Sequence, residues 1–86
     1  MLRIHKLKTW PEYFQAVKEG KKNFEIRKND RDYKVGDTLI LLEYDPATGY
    51  TAELPLNREI TYILDKQPFV PEGYVCMSLG GAEDGV

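Results

Sequence analysis

The stretch "VGDTLILLEYDPATGY", residues 35 to 50, decides how the chain is read. Val35-Gly36-Asp37 is a turn. Thr38-Leu39-Ile40-Leu41-Leu42-Glu43-Tyr44 follows it as a nearly unbroken apolar run, which predicts a strand buried on both sides. Asp45-Pro46-Ala47-Thr48-Gly49 then supplies Pro and Gly in a short loop, a hairpin signal that sends the chain back along itself from Tyr50.

Working outward, Asn23 to Lys28 alternates. Phe24 and Ile26 are expected to hold the strand in the core, with Asn23, Glu25 and Arg27 on the polar face. Before it, Thr9-Trp10-Pro11-Glu12 reads as a helix start, with Thr9 as cap, Glu12 completing a capping box and Pro11 in the first turn. Trp10, Phe14 and Val17 fall on one helical face, so Trp10 is expected in the core, and Gly20 suits the C-terminal cap. A helix is predicted over 10–19. Leu2, Ile4 and Leu7 mark a first strand ending near Lys8.

Toward the C-terminus, Tyr50 to Leu54 and Arg58 to Leu64 are candidate strands, separated by Pro55. Gln67 to Gly73 is a loop, Tyr74 to Leu79 a last strand, and 81–86 a frayed tail. About six short strands and one helix leave no room for several parallel crossovers. The expectation is a mainly β (α+β) fold: one domain over 1–80, a small, mostly antiparallel barrel with one N-terminal helix.

The 86 residues suffice for one small domain. No apolar run reaches membrane-spanning length and the N-terminus lacks a signal-peptide stretch, so a cytoplasmic location is the default expectation. Cys76 is the single cysteine, so no intrachain disulfide forms; it is expected to be a small core thiol. One Cys and one His do not furnish a metal site, and no cofactor is implied. The net charge of −2 hides an asymmetry: residues 1–36 carry ten basic and five acidic side chains, residues 37–86 two basic and nine acidic.

"GKKNFEIRKNDR", residues 20 to 31, holds five of the twelve lysines and arginines. In a cleft, Arg27 and Lys22 suit phosphate or a base edge, and Glu25 can orient Arg27. Lys28 to Arg31 reads as a solvated turn. Tyr33, Tyr44 and Tyr50 stand in or beside turns and strand ends, where exposed rings can stack on bases. His5 is a lone histidine among basic residues, for which a structural role is the simpler reading. It is kept as a ligand-binding candidate, with Lys21 and Lys8 at the rim.

"HKLKTWPEYFQAVKEGKKNFEIRKNDRDYKVGDTLIL", residues 5–41, resembles the start of the ASCH (activating signal cointegrator homology) domain, a branch of the PUA-like superfamily. It is closer still to short bacterial and phage members of that superfamily grouped as a domain of unknown function. The helix, Gly-Lys-Lys-x-x-Glu-x-Arg, Val-Gly-Asp and the late "EGYVCMSL" carry the resemblance, from His5 to about Leu79. It implies a small barrel with a helix beside a cleft, RNA or modified-nucleotide binding, and Lys22, Glu25 and Arg27 in the cleft. One branch of that superfamily hydrolyses acyl groups from modified cytidines. Lys22 matches its lysine, but Glu25 stands where its nucleophilic threonine would be, and Glu53 and Glu59 are both open as its third member.

The leading expectation is therefore an RNA- or nucleotide-binding domain with a basic cleft. The alternatives are an amidohydrolase of modified nucleosides, of the N-acylcytidine class, with Lys22 and Glu25 as catalytic candidates, and a non-catalytic protein-interaction module.

Overall fold

The structure, a computed structural model, describes residues 2–81. Of the expected tail over 81–86, only Gly81 falls within the described residues. The elements run β1 (Ile4–Thr9), α1 (Pro11–Lys18), β2 (Phe24–Lys28), β3 (Thr38–Asp45), β4 (Gly49–Tyr50), β5 (Leu56–Leu64) and β6 (Tyr74–Gly80). The sheet curls into a half-barrel in the order β1-β3-β5-β6-β2, and β4 pairs with β3. Every pairing is antiparallel except β1–β3, which runs parallel from Ile4↔Thr38 to Thr9↔Glu43. A parallel pair needs a long crossover; here α1 and β2 make up that connection. No helix among the described residues is long and apolar enough to cross a membrane.

Local chemistry explains the element ends. Pro11 opens α1, where its missing N–H costs nothing. The helix closes in a Schellman motif: Lys21 N bonds Ala16 O at 2.9 Å and Gly20 N bonds Val17 O at 3.0 Å, with Gly20 at φ +78°. The expected capping box does not form. Trp10 occupies the N-cap without a side-chain cap bond, because Thr9 is still the last residue of β1. At the turn into β3, Gly36 (φ +98°) lies under Leu2, and an added Cβ would meet Leu2 Cδ2 at 2.9 Å.

The core is the concave side of the sheet closed by α1. Phe14 and Val17 meet Leu7, Leu39, Leu41, Leu56, Ile60, Val75 and Met77, all buried. Each such side chain contributes about 1.5–3 kcal/mol by leaving water. Buried Arg58 reaches under the helix and donates Nη2 to Val17 O at 3.2 Å.

Four expectations need correction. β3 is not buried on both faces: Leu39 and Leu41 are fully covered, while Ile40 and Leu42 are half-buried. The sheet is a single layer, and α1 covers its inner face alone. The strand expected over 50–54 pairs only at Gly49–Tyr50; beyond it, Thr51 N and Oγ1 turn to the backbone oxygen and carboxylate of Glu43. Cys76 is half-buried, not a core thiol, because Val75 and Met77 take the inner positions of β6. The faces of β2 are inverted relative to the sequence reading: Glu25 is buried, and Phe24 and Ile26 are 43% and 51% exposed. In an antiparallel pair, opposed residues share a face. Glu25 and Arg27 oppose the inward Met77 and Val75, and Ile26 opposes Cys76.

Candidate functional site

β1 and β2 are the two ends of the sheet, so the half-barrel has an open seam between them. Backbone bonds at Asn23–Leu79 and Asn29–Gly73 flank β2. By alternation, Glu25 and Arg27 turn their backbone groups to β6, and Phe24, Ile26 and Lys28 turn theirs to the seam. On β1, Thr38 N bonds Arg3 O, so Lys6 and Lys8 turn theirs to the seam from the opposite side. An unpaired strand edge needs covering. Here side chains do it: Arg27 Nη2 donates to Lys8 O at 2.9 Å, Arg31 Nη1 to Lys6 O at 3.0 Å, and Lys22 Nζ to Phe24 O at 2.7 Å.

A cavity of about 550 Å³ opens in this seam beside α1. Trp10, Tyr13, Phe24 and Ile26 make an apolar, largely aromatic lining, and Lys8 and Thr9 complete the β1 side. Trp10 and Tyr13 lie nearly parallel (22°), with ring centroids 6.4 Å apart. Trp10 is 56% exposed, so it is not the core residue that helical spacing suggested.

The innermost lining is charged. Glu25, 4% exposed, receives Lys22 Nζ on Oε1 at 2.7 Å and Arg27 Nε on Oε2 at 2.9 Å. A buried carboxylate needs such partners. The consequence for the cavity is that two cations are held at fixed points. Lys22 also sits against two rings, 4.9 Å from the Phe24 centroid and 5.8 Å from that of Tyr13. Arg27 Nη1 makes no hydrogen bond among the described residues, nor does the indole N–H of Trp10. The cavity therefore combines flat apolar surfaces with unspent donors, and each oxygen of Glu25 already accepts from a cation.

Lys22, Glu25 and Arg27 thus converge on one concave site, with Lys8 at its edge. Two other candidates do not join them. Lys21 projects into solvent and pairs with Glu19 at 3.1 Å, because the Schellman turn points the chain away from the seam there. His5 is buried on the inner face of β1. Its Nε2 lies 2.8 Å from Asp37 Oδ2 and its ring meets Tyr33 edge-on at 4.8 Å. Asp37 also accepts from Arg3 N at 3.0 Å and Lys34 N at 3.1 Å. Burial acts to raise its pKa, but the hydrogen bonds from His5, Arg3 and Lys34 and the charge of His5 outweigh that and hold it below the ordinary carboxylate value. This cluster staples the Val35-Gly36-Asp37 turn to β1 and does not line the cavity.

Of the acidic residues left open as a third catalytic member, Glu53 accepts from Lys18 and Gln15 at 3.1 Å each, on the α1 surface. Glu59 is exposed on β5. Neither lines the cavity. Among the described residues no group of three or more His, Cys, Asp or Glu side chains is gathered as for a metal ion. Trp10, Phe24 and Ile26 were missed as lining residues. The alternation of β6, Val75 and Met77 against Cys76 and Ser78, carries the signal that fixes the facing of its partner β2.

Fold and seam together define a small half-barrel domain with a ring-lined cavity at its open edge. The chain belongs to the family described as "Domain of unknown function (DUF3850)", which matches residues 4–79. It is similar to the "Uncharacterized 12.9 kDa protein in GpA 3'region" of Escherichia phage P2, 40% identical over 77 residues, 90% of this chain and 68% of the phage protein.

Proposed function

We propose that the domain binds RNA or a nucleotide by taking a nucleobase into the seam cavity. The observation that carries this reading is the cavity itself: aromatic and apolar walls over a Lys22–Glu25–Arg27 floor. A flat heterocycle between Trp10, Tyr13 and Phe24 gains stacking worth about 1–3 kcal/mol per base. Arg27 Nη1 and Lys22 Nζ then donate to the acceptors of the base edge or to phosphate. Glu25 is a positioning residue, since both its oxygens are occupied by the cations it orients. The likeness of residues 5–41 to ASCH and other PUA-like domains supports the same reading.

The arrangement favours binding over amidohydrolysis. A Lys–Glu pair acting on water needs a carboxylate that the water can reach, and Glu25 is nearly fully buried with a cation held on each oxygen.

Titration with the four ribonucleoside monophosphates and with short single-stranded RNAs, each at low and high salt, tests the proposal. Saturable binding is expected, with RNA affinity falling as salt rises. The double substitution of Lys22→Ala and Arg27→Ala should abolish it. Binding that survives this double substitution in folded protein contradicts the proposal.

A further inference from the structure

A second cavity, about 170 Å³, lies in the same seam on the other side of Arg27, lined by Leu7, Arg27, Lys28, Asp30, Arg31 and Tyr33. That volume holds several water molecules. Its character differs from that of the first. Both set three cations against one carboxylate, but the second lacks the first's stack of rings and apolar walls, with only Leu7 and the Tyr33 ring beside its charges. The telling feature is that two of the second cavity's cations, Arg27 and Arg31, are fixed by hydrogen bonds and still have donors to spare. Elsewhere on the domain Lys18, Lys21, Lys22 and Lys34 each pair with a carboxylate, whereas Lys6, Lys8 and Lys66 pair with none among the described residues. Lys28 and Arg31 pair with none among the described residues. Asp30, although it lines the same cavity, forms no ion pair among the described residues either. Arg31 is nevertheless held in place, because its Nη1 bonds Lys6 O across the seam, while its Nε and Nη2 make no hydrogen bond among the described residues.

Arg27 separates the two cavities and lines both. Its Nε is fixed by Glu25 and its Nη2 by Lys8 O and Thr9 Oγ1, which leaves Nη1. Burial raises the Tyr33 phenol above its ordinary pKa, against the opposing pull of the Arg31 and Arg27 charges. The hydroxyl thus stays protonated, able to donate to an anion.

We infer that the smaller cavity is a phosphate subsite, so that the seam takes a base on one side of Arg27 and its phosphate on the other. This deepens the proposed function and rests on it for the position of the base. It also gives Lys28 and Arg31 a role in place of the solvated turn read from sequence. The shared chemistry is a phosphate group on a nucleotide, whether a free mononucleotide or a strand.

Calorimetric titration of the whole protein separates the possibilities, using ribonucleosides, their 5′- and 3′-monophosphates, inorganic phosphate, and tetranucleotides with and without a 5′-phosphate. The expected result is at least about tenfold tighter binding of one monophosphate than of its nucleoside, the gain from charge-assisted hydrogen bonds. That gain should vanish in Lys28→Ala and Arg31→Ala while nucleoside affinity stays. Lys28 is exposed and its side chain makes no hydrogen bond among the described residues, so its variant keeps the test valid if loss of the Arg31 bridge unfolds the domain. A preference for the 5′-phosphorylated tetranucleotide identifies a terminal phosphate as the source, equal binding of both tetranucleotides an internal one, and a mononucleotide that outbinds both a free ligand. Equal affinity for nucleoside and monophosphates, unchanged by either substitution, overturns the phosphate subsite and leaves the base site standing. Binding of inorganic phosphate that depends on Lys28 and Arg31, without nucleoside binding, removes the base site and keeps the anion site. No binding of any probe overturns both.

Discussion

Of the buried carboxylates in this half-barrel, Asp37 and Glu25 stand at different places and are built for different ends. Asp37 is fully buried and Glu25 nearly so, and each is satisfied on both oxygens. The donors differ. Asp37 is held by two backbone amides and an inward histidine, groups the fold fixes in any case. Glu25 is held by the tips of two long cationic side chains beside a cavity. Burial of a charge therefore says little by itself. What the partners also touch separates a structural staple from a positioning residue.

The largest expected effect tests the staple. Asp37→Asn leaves donors facing an amide N–H₂ and should cost about 3–5 kcal/mol in urea unfolding, with nucleotide affinity of the folded fraction unchanged. A loss of affinity alone would reverse the roles of the two carboxylates. Next comes Glu25→Gln. It frees Lys22 and Arg27 from their fixed positions, so affinity should fall at least about tenfold, while stability drops by about 1–3 kcal/mol. Unchanged affinity would mean that Glu25 only satisfies its neighbours.

The pH dependence of stability probes the Asp37 staple directly. Asp37 has a folded pKa below its unfolded value, so its bonds stabilise the fold above roughly pH 4, and that contribution is lost as pH falls through the folded pKa. Urea midpoints measured downward from neutral pH should decline through this window in the wild-type chain, and less steeply in Asp37→Asn. The smallest effect belongs to Lys21→Ala. Its ion pair with Glu19 is exposed, so both stability, within about 0.5 kcal/mol, and affinity should hold.

Turn signals made most of the fold legible. Pro46 and Gly49 mark the hairpin, Gly20 the helix end, Pro55 the start of β5, and Pro68 and Gly73 the loop before β6. The parallel β1–β3 pairing was not legible, because it depends on which strand the crossover returns beside. The charged part of the site was readable as a group, since Lys22, Glu25 and Arg27 sit close in sequence. Its walls were not. Apolar-inward reasoning put Phe24, Ile26 and Trp10 in the core, whereas the inner end of this barrel is polar, with Thr9, Glu25, Glu43 and Arg58 all buried. There the ion pairs of Glu25 and the pairing with β6 override the apolar pattern of one short edge strand.

Trp10 is the only tryptophan in the chain and lines the cavity, so its emission reports directly on occupancy. Titrating ribonucleoside monophosphates while monitoring that emission is the most direct test of a base stacking over the Lys22–Glu25–Arg27 floor. Saturable quenching, shifted to at least about tenfold higher ligand concentration in Glu25→Gln, is the predicted result. Emission that stays constant through millimolar nucleotide in folded protein would contradict it.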